Sequence, residues 1–368
     1  MGQTWLQTLQ LHSDIELVGV VDLNVDAAEA AAGQYVADAR AYSNDLSQLI
    51  SDVAPDAVLD VTIPAAHHAV TVEALSHGIP VLGEKPAAET VAQALSLAAA
   101  ADVAGELFMV SQSRRYDRNL RILHDAIRRC GPVGFLTSEH FRAPRFGGFR
   151  DQMDHPFLLD MAIHPFDAAR YLLDADPVAV YCEEFNPAWS WYKGAAATSA
   201  IFEMTDGKRF SYQGSWCSPG LETSWNGRWR ASGPNGSALW DGEGAPAAEY
   251  AGESFDPFIE PSLTEGLAGA LDEFVAALRF GALPSTIIHE NIPSLAMVEA
   301  SVSSALRGAR VSIADVLDEA RGEALSTEKD GNVRSRLADP GFMDRRHDRR
   351  SDDDDSPALI KEMTHDQD

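Results

Sequence analysis

Up to about residue 112 the chain alternates short β-branched apolar runs with helical patterns. "ELVGVVD" (16–22), "DAVLDVTI" (56–63), "IPVLGEK" (79–85) and "ELFMVSQ" (106–112) have strand length and are bounded by turn or helix signals. Helical periodicity occupies 26–35, 45–52, 68–78 and 90–105 between and after them. The last of these opens on Thr90 with Gln93 three residues on, which predicts a capping box, and Gly105 closes it. Such alternation predicts a parallel sheet covered on both faces, a doubly wound nucleotide-binding unit over residues 1–115.

Beyond residue 115 the pattern changes. A helical stretch (117–129) leads to "VGFLTSEHF" (133–141), an Arg- and Gly-rich loop and a helical segment at 156–174. Strands then dominate: 196–204 and 208–216 flank Asp206-Gly207, and "SWNGRWRAS" and "SALWD" flank Pro234-Asn235-Gly236, both hairpin signals. Helices return at 263–279 and 293–307. Strands bracketed by helices predict an α+β unit over 116–324 with one open, largely antiparallel sheet. From 325 to 368 the chain carries "RRHDRRSDDDDS" and little apolar periodicity, and is expected to be a disordered charged tail.

One part of the first unit is missing from this pattern. A dinucleotide-binding unit opens with a strand, a G-x-G-x-x-G turn and a helix whose N-terminus faces the pyrophosphate, with an acid ~20 positions later for the ribose. Here "MGQTWLQTLQ" is already helical, with Trp5, Leu6 and Leu9 on one side, and Gly2 stands twenty residues before Asp22. Gly2 is therefore expected to be the last glycine of the fingerprint, with the first strand and the other glycines upstream of Met1.

Composition narrows the setting. With 368 residues, 45% of them hydrophobic, the chain can bury two cores at about 100–200 residues per domain. Cys130, Cys182 and Cys217 are widely separated, without zinc or disulfide-framework spacing, so no metal site is expected and a reducing cytoplasm is the simplest location. No apolar run reaches the ~18 residues of a membrane span, and no basic start followed by an apolar stretch marks export. The net charge of −27, from 56 acidic and 29 basic residues, would repel nucleic acid and anionic membranes. Only five of the basic residues are lysine. An acid-rich, lysine-poor surface suggests a protein solvated in concentrated salt, the alternative being an acidic protein of an ordinary cytosol.

Three motifs in order then carry a resemblance. "EKP" (84–86) at the end of a strand, "SRRYD" (113–117) after the next and "DMAIHPFD" (160–167) on a helix are similar to the glucose–fructose oxidoreductase/inositol dehydrogenase/rhizopine catabolism family (Gfo/Idh/MocA), with a match running from residue 2 to about 310. The family joins a dinucleotide-binding domain to an α/β domain with an open sheet, and its members mostly oxidise or reduce a secondary alcohol of a sugar or polyol. The resemblance implies that Lys85 lies beside the nicotinamide as proton-transfer group and substrate contact, that Glu84 helps to hold the nicotinamide end, and that Asp160 and His164 orient the substrate and accept its proton. Four residues apart, Asp160 and His164 share one helical face, although Pro165 disfavours helical geometry at His164 and predicts a start or kink there. Asp167 reads as a capping or orienting residue.

The cofactor follows from the same frame. Asp22 at a strand end would accept from the ribose hydroxyls and repel a 2′-phosphate, and neither Leu23 nor Asn24 brings a compensating charge, so NAD is expected over NADP. Gly2, Leu23, Ile63 and Pro64 with His67 or His68, Glu84, Lys85 and Gln112 are the implied cofactor contacts, and Arg115 and, more speculatively, Lys193 further substrate contacts. Six of the seven tryptophans fall within 189–240, placed either in a carbohydrate pocket or in a core or interface. The reading is an NAD-dependent dehydrogenase of a sugar, polyol or related hydroxy compound, a homodimer or homotetramer through its open sheet. The alternative is a non-catalytic binding or regulatory protein that has lost the cofactor loop.

Overall fold

A computed structural model of the chain describes residues 1–251, 253–254 and 264–343. The first unit contains helices α1 (Gly2–Leu11), α2 (Val25–Tyr35), α3 (Leu46–Val53), α4 (Pro64–Ser76) and α5 (Val91–Ala104). Its strands are β1 (Val20–Val21), β2 (Tyr42–Ser43), β3 (Val58–Asp60), β4 (Val81–Glu84) and β5 (Phe108–Ser111). Every pairing is parallel, as β1-β2 and β3-β4-β5, and no ladder joins the two pieces among the described residues. A doubly wound sheet runs 3-2-1-4-5-6, so the break falls where a first strand would lie between β1 and β3. That accounts for the shortness of β1, which forms over two of the seven residues expected at 16–22.

The predicted caps are present. Thr90 Oγ1 accepts from the Gln93 N–H at 3.2 Å, Gly105 takes the left-handed conformation at φ 72°, and the Gln93 side chain reaches back to the Glu89 N–H at 3.1 Å, one residue before the cap. Almost every residue of α5 from Val91 to Ala101 is buried, Gln93 alone excepted.

The second unit adds α6 (Arg118–Arg129), β6 (Phe135–Phe141), a π-turn (Phe157–Ala162), α7 (Ile163–Leu173), β7 (Pro177–Phe185), β8 (Ala197–Met204) and β9 (Arg209–Ser215). It continues through β10 (Arg228–Gly233), β11 (Gly236–Trp240), β12 (Ala247–Tyr250), β13 (Glu253–Ser254), α8 (Gly266–Phe280), α9 (Ile288–Arg307), β14 (Val311–Ser312), α10 (Ile313–Thr327) and α11 (Gly331–Ala338). Its nine strands form one sheet in the order β13-β12-β11-β10-β6-β9-β8-β7-β14, antiparallel except at β6–β9. At the predicted β8–β9 hairpin both Asp206 (φ 59°) and Gly207 (φ 72°) are left-handed, as a twist-matched turn requires. Helices α6, α7 and α9 cover one face of the sheet, whereas Phe135, Val178, Tyr181, Ile201 and Leu239 stand exposed on it.

Two expectations about domain limits need correction. The late helices are shared between the units: α8 packs on α1 through Trp5, Leu9, Leu271 and Phe274, and α9, α10 and α11 all pack on α5 while α9 and α10 also pack on β7. The tail expected from 325 is folded as far as residue 343. Asp330 caps α11, Arg336 pairs with Asp102 at 2.7 Å, Ser96 donates to Glu328 at 2.5 Å, and Leu337 and Phe342 are fully buried. Three apolar anchors among many charges (Val333, Leu337 and Phe342) leave too weak a period to read. Residues 344–368 lie outside the described residues. Among the described residues no helix is long and apolar enough to cross a membrane.

Candidate active site

Strand β4 ends at Glu84 and delivers Lys85 to the seam between the two units. Lys85 Nζ donates to the Asp160 carbonyl at 3.1 Å and lies 3.6 Å from Asp160 Oδ1, with side-chain exposures of 18% and 22%. Burial lowers the Lys85 pKa and outweighs the pull of Asp160 and Glu84, and the nearby Arg114 and Arg150 add to the lowering. Glu84 is buried, its carboxylate held by the Trp5 indole N–H at 2.7 Å and by the Lys85 backbone N–H at 3.1 Å. The Lys85–Pro86 peptide bond is cis.

Asp160 and His164 come from the π-turn and the first turn of α7. Pro165, expected to start or kink the helix near His164, sits just inside α7, where the wider π-turn gives way to regular helix at Ile163. The π-turn is seated on the sheet by Phe157, whose ring occupies the space a side chain at position 214 would need: a Cβ on Gly214 would come within 2.4 Å of it. Asp160 also accepts from Arg150 Nε at 2.5 Å, so one carboxylate serves two cations. His164 Nδ1 is buried without a partner, and burial, followed by Arg114, Lys85 and His140, holds the imidazole pKa well below its ordinary value. His140 on β6 has likewise been pushed down, to about 3, by burial and then by Arg114 and Arg142, and its Nε2 is unpartnered.

Several site residues escaped the sequence reading. Arg114, His140 and Arg150 join the cluster, and an aromatic wall of Phe146, Phe157, Trp216 and Trp225 continues from it. The only signal for Arg150 was the run of arginines in "FRAPRFGGFR". Trp225 is 43% exposed beside Arg142, Trp216 forms the buried back of that wall, and Trp229 and Trp240 are core residues, so the tryptophan cluster divides between aromatic wall and core.

Three expected contacts are corrected. Arg115 does not face the pocket: its guanidinium makes a two-pronged pair with Asp167 at 2.7 and 2.8 Å and donates to the Ser285 carbonyl. Burial opposes its charge, but Asp167 outweighs this and raises its pKa. Asp167, itself held by Ser294 at 2.8 Å, orients Arg115. Lys193 is exposed and pairs with Asp154 at 2.9 Å, bonded to none of Lys85, Asp160 and His164. His67 is buried with both ring nitrogens on carbonyl oxygens, Pro86 at 2.7 Å and Thr62 at 3.0 Å, which ties the loop after β3 to the turn after Lys85 and leaves neither nitrogen free for a ligand.

The other side of the seam fits a dinucleotide. Leu23, just after β1, and Ile63, between β3 and α4, are 92% and 67% exposed, bare apolar surfaces suited to an adenine or ribose. Asp22 is exposed beside Leu23, and one of its oxygens accepts from the Asn24 N–H at 2.8 Å. Helices α1 and α4 begin at Gly2 and Pro64 without a side-chain cap, leaving backbone donors free for phosphate oxygens. Gln112 Nε2, at the end of β5, is buried without a partner.

Residues 1–112 match the oxidoreductase family with an NAD-binding Rossmann fold, and residues 134–239 match the GFO/IDH/MocA C-terminal domain. The chain belongs to the Gfo/Idh/MocA family. It is 28% identical over 340 residues to inositol 2-dehydrogenase of Rhizobium meliloti (strain 1021), covering 85% of this chain and 96% of that one. It is 26% identical over 336 residues to D-apiose dehydrogenase of Paraburkholderia graminis, covering 87% and 88%. An oxidoreductase from Agrobacterium radiobacter, solved with NAD+, L-tartaric acid and magnesium, shares the fold with a TM-score of 0.75 at 17% identity over 84% of this chain and 94% of that one. This Gfo/Idh/MocA protein is an NAD-dependent oxidoreductase, and the resemblance carried by its three motifs holds across both units.

The buried histidines give the folded state a defined acid sensitivity. His140 and His164 stay neutral in the fold, whereas in the unfolded chain they take up protons below about pH 6.5, so stability is full above that value and falls as pH drops, by ~1.4 kcal/mol per pH unit for each histidine. Urea midpoints between pH 7.5 and 5 should fall more steeply for the native protein than for His140→Asn. Equal slopes would remove His140 as a source of the sensitivity.

Proposed function

We propose that this protein oxidises a secondary alcohol of a sugar, polyol or related hydroxy compound to a ketone, or reduces the ketone, with NAD as hydride partner. The observation that carries the reading is the convergence of Lys85, Asp160 and His164 at the seam, next to strand ends that fit a dinucleotide. When bound, NAD supplies the nicotinamide that takes the hydride from the C–H bond. Lys85 hydrogen-bonds the reacting oxygen, Asp160 fixes the lysine and orients the hydroxyl, and the unpartnered imidazole nitrogen of His164 accepts the hydroxyl proton. The lowered His164 pKa keeps that acceptor neutral at physiological pH. A binder without catalysis has no use for a buried lysine of lowered pKa beside an unpartnered histidine.

The relatives named for inositol and D-apiose support a polyhydroxy substrate. The exposed apolar residues on the open sheet support a homo-oligomer formed through that face, since a monomer would leave them in water. The three buried, unpaired cysteines are in keeping with a reducing cytoplasm, and the −27 charge with concentrated salt.

Lys85→Ala or His164→Ala should cut turnover by roughly 10²–10⁴-fold while NAD binding, followed by fluorescence titration, changes far less. Because burial lowers the Lys85 pKa, its unprotonated form is reached early, and the pH profile of alcohol oxidation should level off below the ~10.4 of an ordinary lysine. Unimpaired turnover in both variants would remove these residues from the chemistry. Asp22→Ser combined with Leu23→Arg should shift coenzyme preference toward NADP by relieving repulsion of a 2′-phosphate, and an unaltered enzyme that already prefers NADP sinks the role of Asp22. Sedimentation should find an oligomer that Ile201→Glu splits, and a melt should rise between 0.1 M and 2 M KCl as self-repulsion is screened; a monomer, or a level midpoint, ends the corresponding reading.

A further inference from the structure

Two cations compete for one carboxylate at the seam. Arg150 Nε donates to Asp160 Oδ2 at 2.5 Å, whereas Lys85 Nζ stands 3.6 Å from Oδ1 and donates instead to the Asp160 backbone carbonyl at 3.1 Å. The arginine has the closer pair. Its loop is tied down on both sides by one segment: the Tyr192 hydroxyl donates to the Pro144 carbonyl at 2.8 Å, and the Lys193 N–H donates to the Asp151 carbonyl at 2.9 Å. Between those ties Gly147 and Gly148 are left-handed, at φ 68° and 65°, and Arg150 Cζ lies 5.1 and 4.8 Å from the ring centres of Phe146 and Phe149. The guanidinium is thus held in place. Among the charged groups that bear on Lys85, Asp160 and Glu84 favour its charge and Arg114 and Arg150 oppose it, and Lys85 in turn bears on His164. Removing Arg150 would act on the lysine twice, by lifting one repulsion and by releasing Asp160 to close on it.

We propose that Arg150 is a positioning residue for the proton transfer: by holding one oxygen of Asp160 it keeps that carboxylate from closing on Lys85 and leaves the other oxygen to orient the substrate's hydroxyl. The inference rests on the dehydrogenase reading above and adds a residue to it. Arg150 need not touch the substrate. A carboxylate closed on Lys85 would hold the ammonium charged and engage the donor that must reach the reacting oxygen. With the carboxylate held off at 3.6 Å, Asp160 fixes the lysine through its backbone carbonyl without binding its proton tightly. A lysine at position 150 would supply the charge but not the planar group, whose Nε donates while its face rests by the two phenylalanine rings.

The test titrates Lys85 in the whole protein by nuclear magnetic resonance. With only five lysines in the chain, carbon-13 labelling of lysine gives few Cε signals, and that of Lys85 is assigned by its loss in Lys85→Arg. Arg150 is 34% exposed, so Arg150→Gln leaves the core untouched, and thermal melts establish that each variant folds. In Arg150→Gln the Lys85 titration should move to higher pH while the other lysines keep theirs. Turnover at pH 7 should fall about tenfold or more and recover as the pH is raised, with KM for NAD unchanged. Arg150→Lys should restore part of both. In an Asp160→Asn background the change at position 150 should shift Lys85 far less, because its effect passes through the carboxylate. A shifted Lys85 with no oxidation of any sugar or polyol supports the role of Arg150 and counts against the dehydrogenase reading alone. A Lys85 titration unmoved in Arg150→Gln, or moved equally in both backgrounds, overturns the positioning role and leaves the dehydrogenase reading intact.

Discussion

The close packing of α5 is the constraint on which the remaining architecture depends. Seven of its residues are alanine, and small side chains let α4, α9, α10 and α11 all approach it closely. Buried from Val91 to Ala101 except at Gln93, the helix has little polar surface to direct its packing; Thr90 and Gly105 fix its ends, and Ser96 and Asp102 tie it to Glu328 and Arg336. Because α9, α10 and α11 come from the far end of the chain, α5 binds the two units into one continuous core running from Ala74 to Phe342. A larger side chain on α5 would force these helices apart, in an interior already packed to crystal-like density.

That shared core is what makes the seam a site. Lys85 lies only six residues before α5, and the contact it makes is not with its own unit but with the π-turn of the other. Its backbone position follows from the first core, and that of Asp160 from Phe157 seated over Gly214. The two meet without either lying on a mobile connection, which is the condition for holding a proton-transfer geometry to within a few tenths of an ångström. His67 contributes in a different way from the one its sequence suggests, locking the turn after Lys85 to the loop after β3.

Much of this was legible in the sequence, and what was not has physical reasons. Local signals carried the strand–helix alternation, the Thr90 cap, the Asp206-Gly207 hairpin and the order of the three motifs, because each depends on neighbours within a few positions. The break in the parallel sheet was visible as a missing glycine turn, but the shortening of β1 depends on a partner strand and could not be read from "ELVGVVD" itself. The folded segment 328–343 was obscured by its charge, since three buried anchors suffice when the surface receiving them is already formed. That Arg115 is a structural residue was beyond any local rule: its partner Asp167, 52 residues away, claims the guanidinium for itself.

The contrast between surface and site also bears on how the site must work. A chain with 56 acids against 29 basic residues repels small anions at low ionic strength, where potentials reach far. In molar salt the Debye length contracts to about 3 Å, and that long-range repulsion disappears, while charges removed from water inside the seam are screened much less. In concentrated salt an acidic exterior would keep the protein solvated without governing what reaches the seam, where Lys85 and Arg150 share Asp160 at contact distance. A site that must discriminate at contact needs its cations buried and held in place before the ligand arrives, and the two units packed on α5 hold them there.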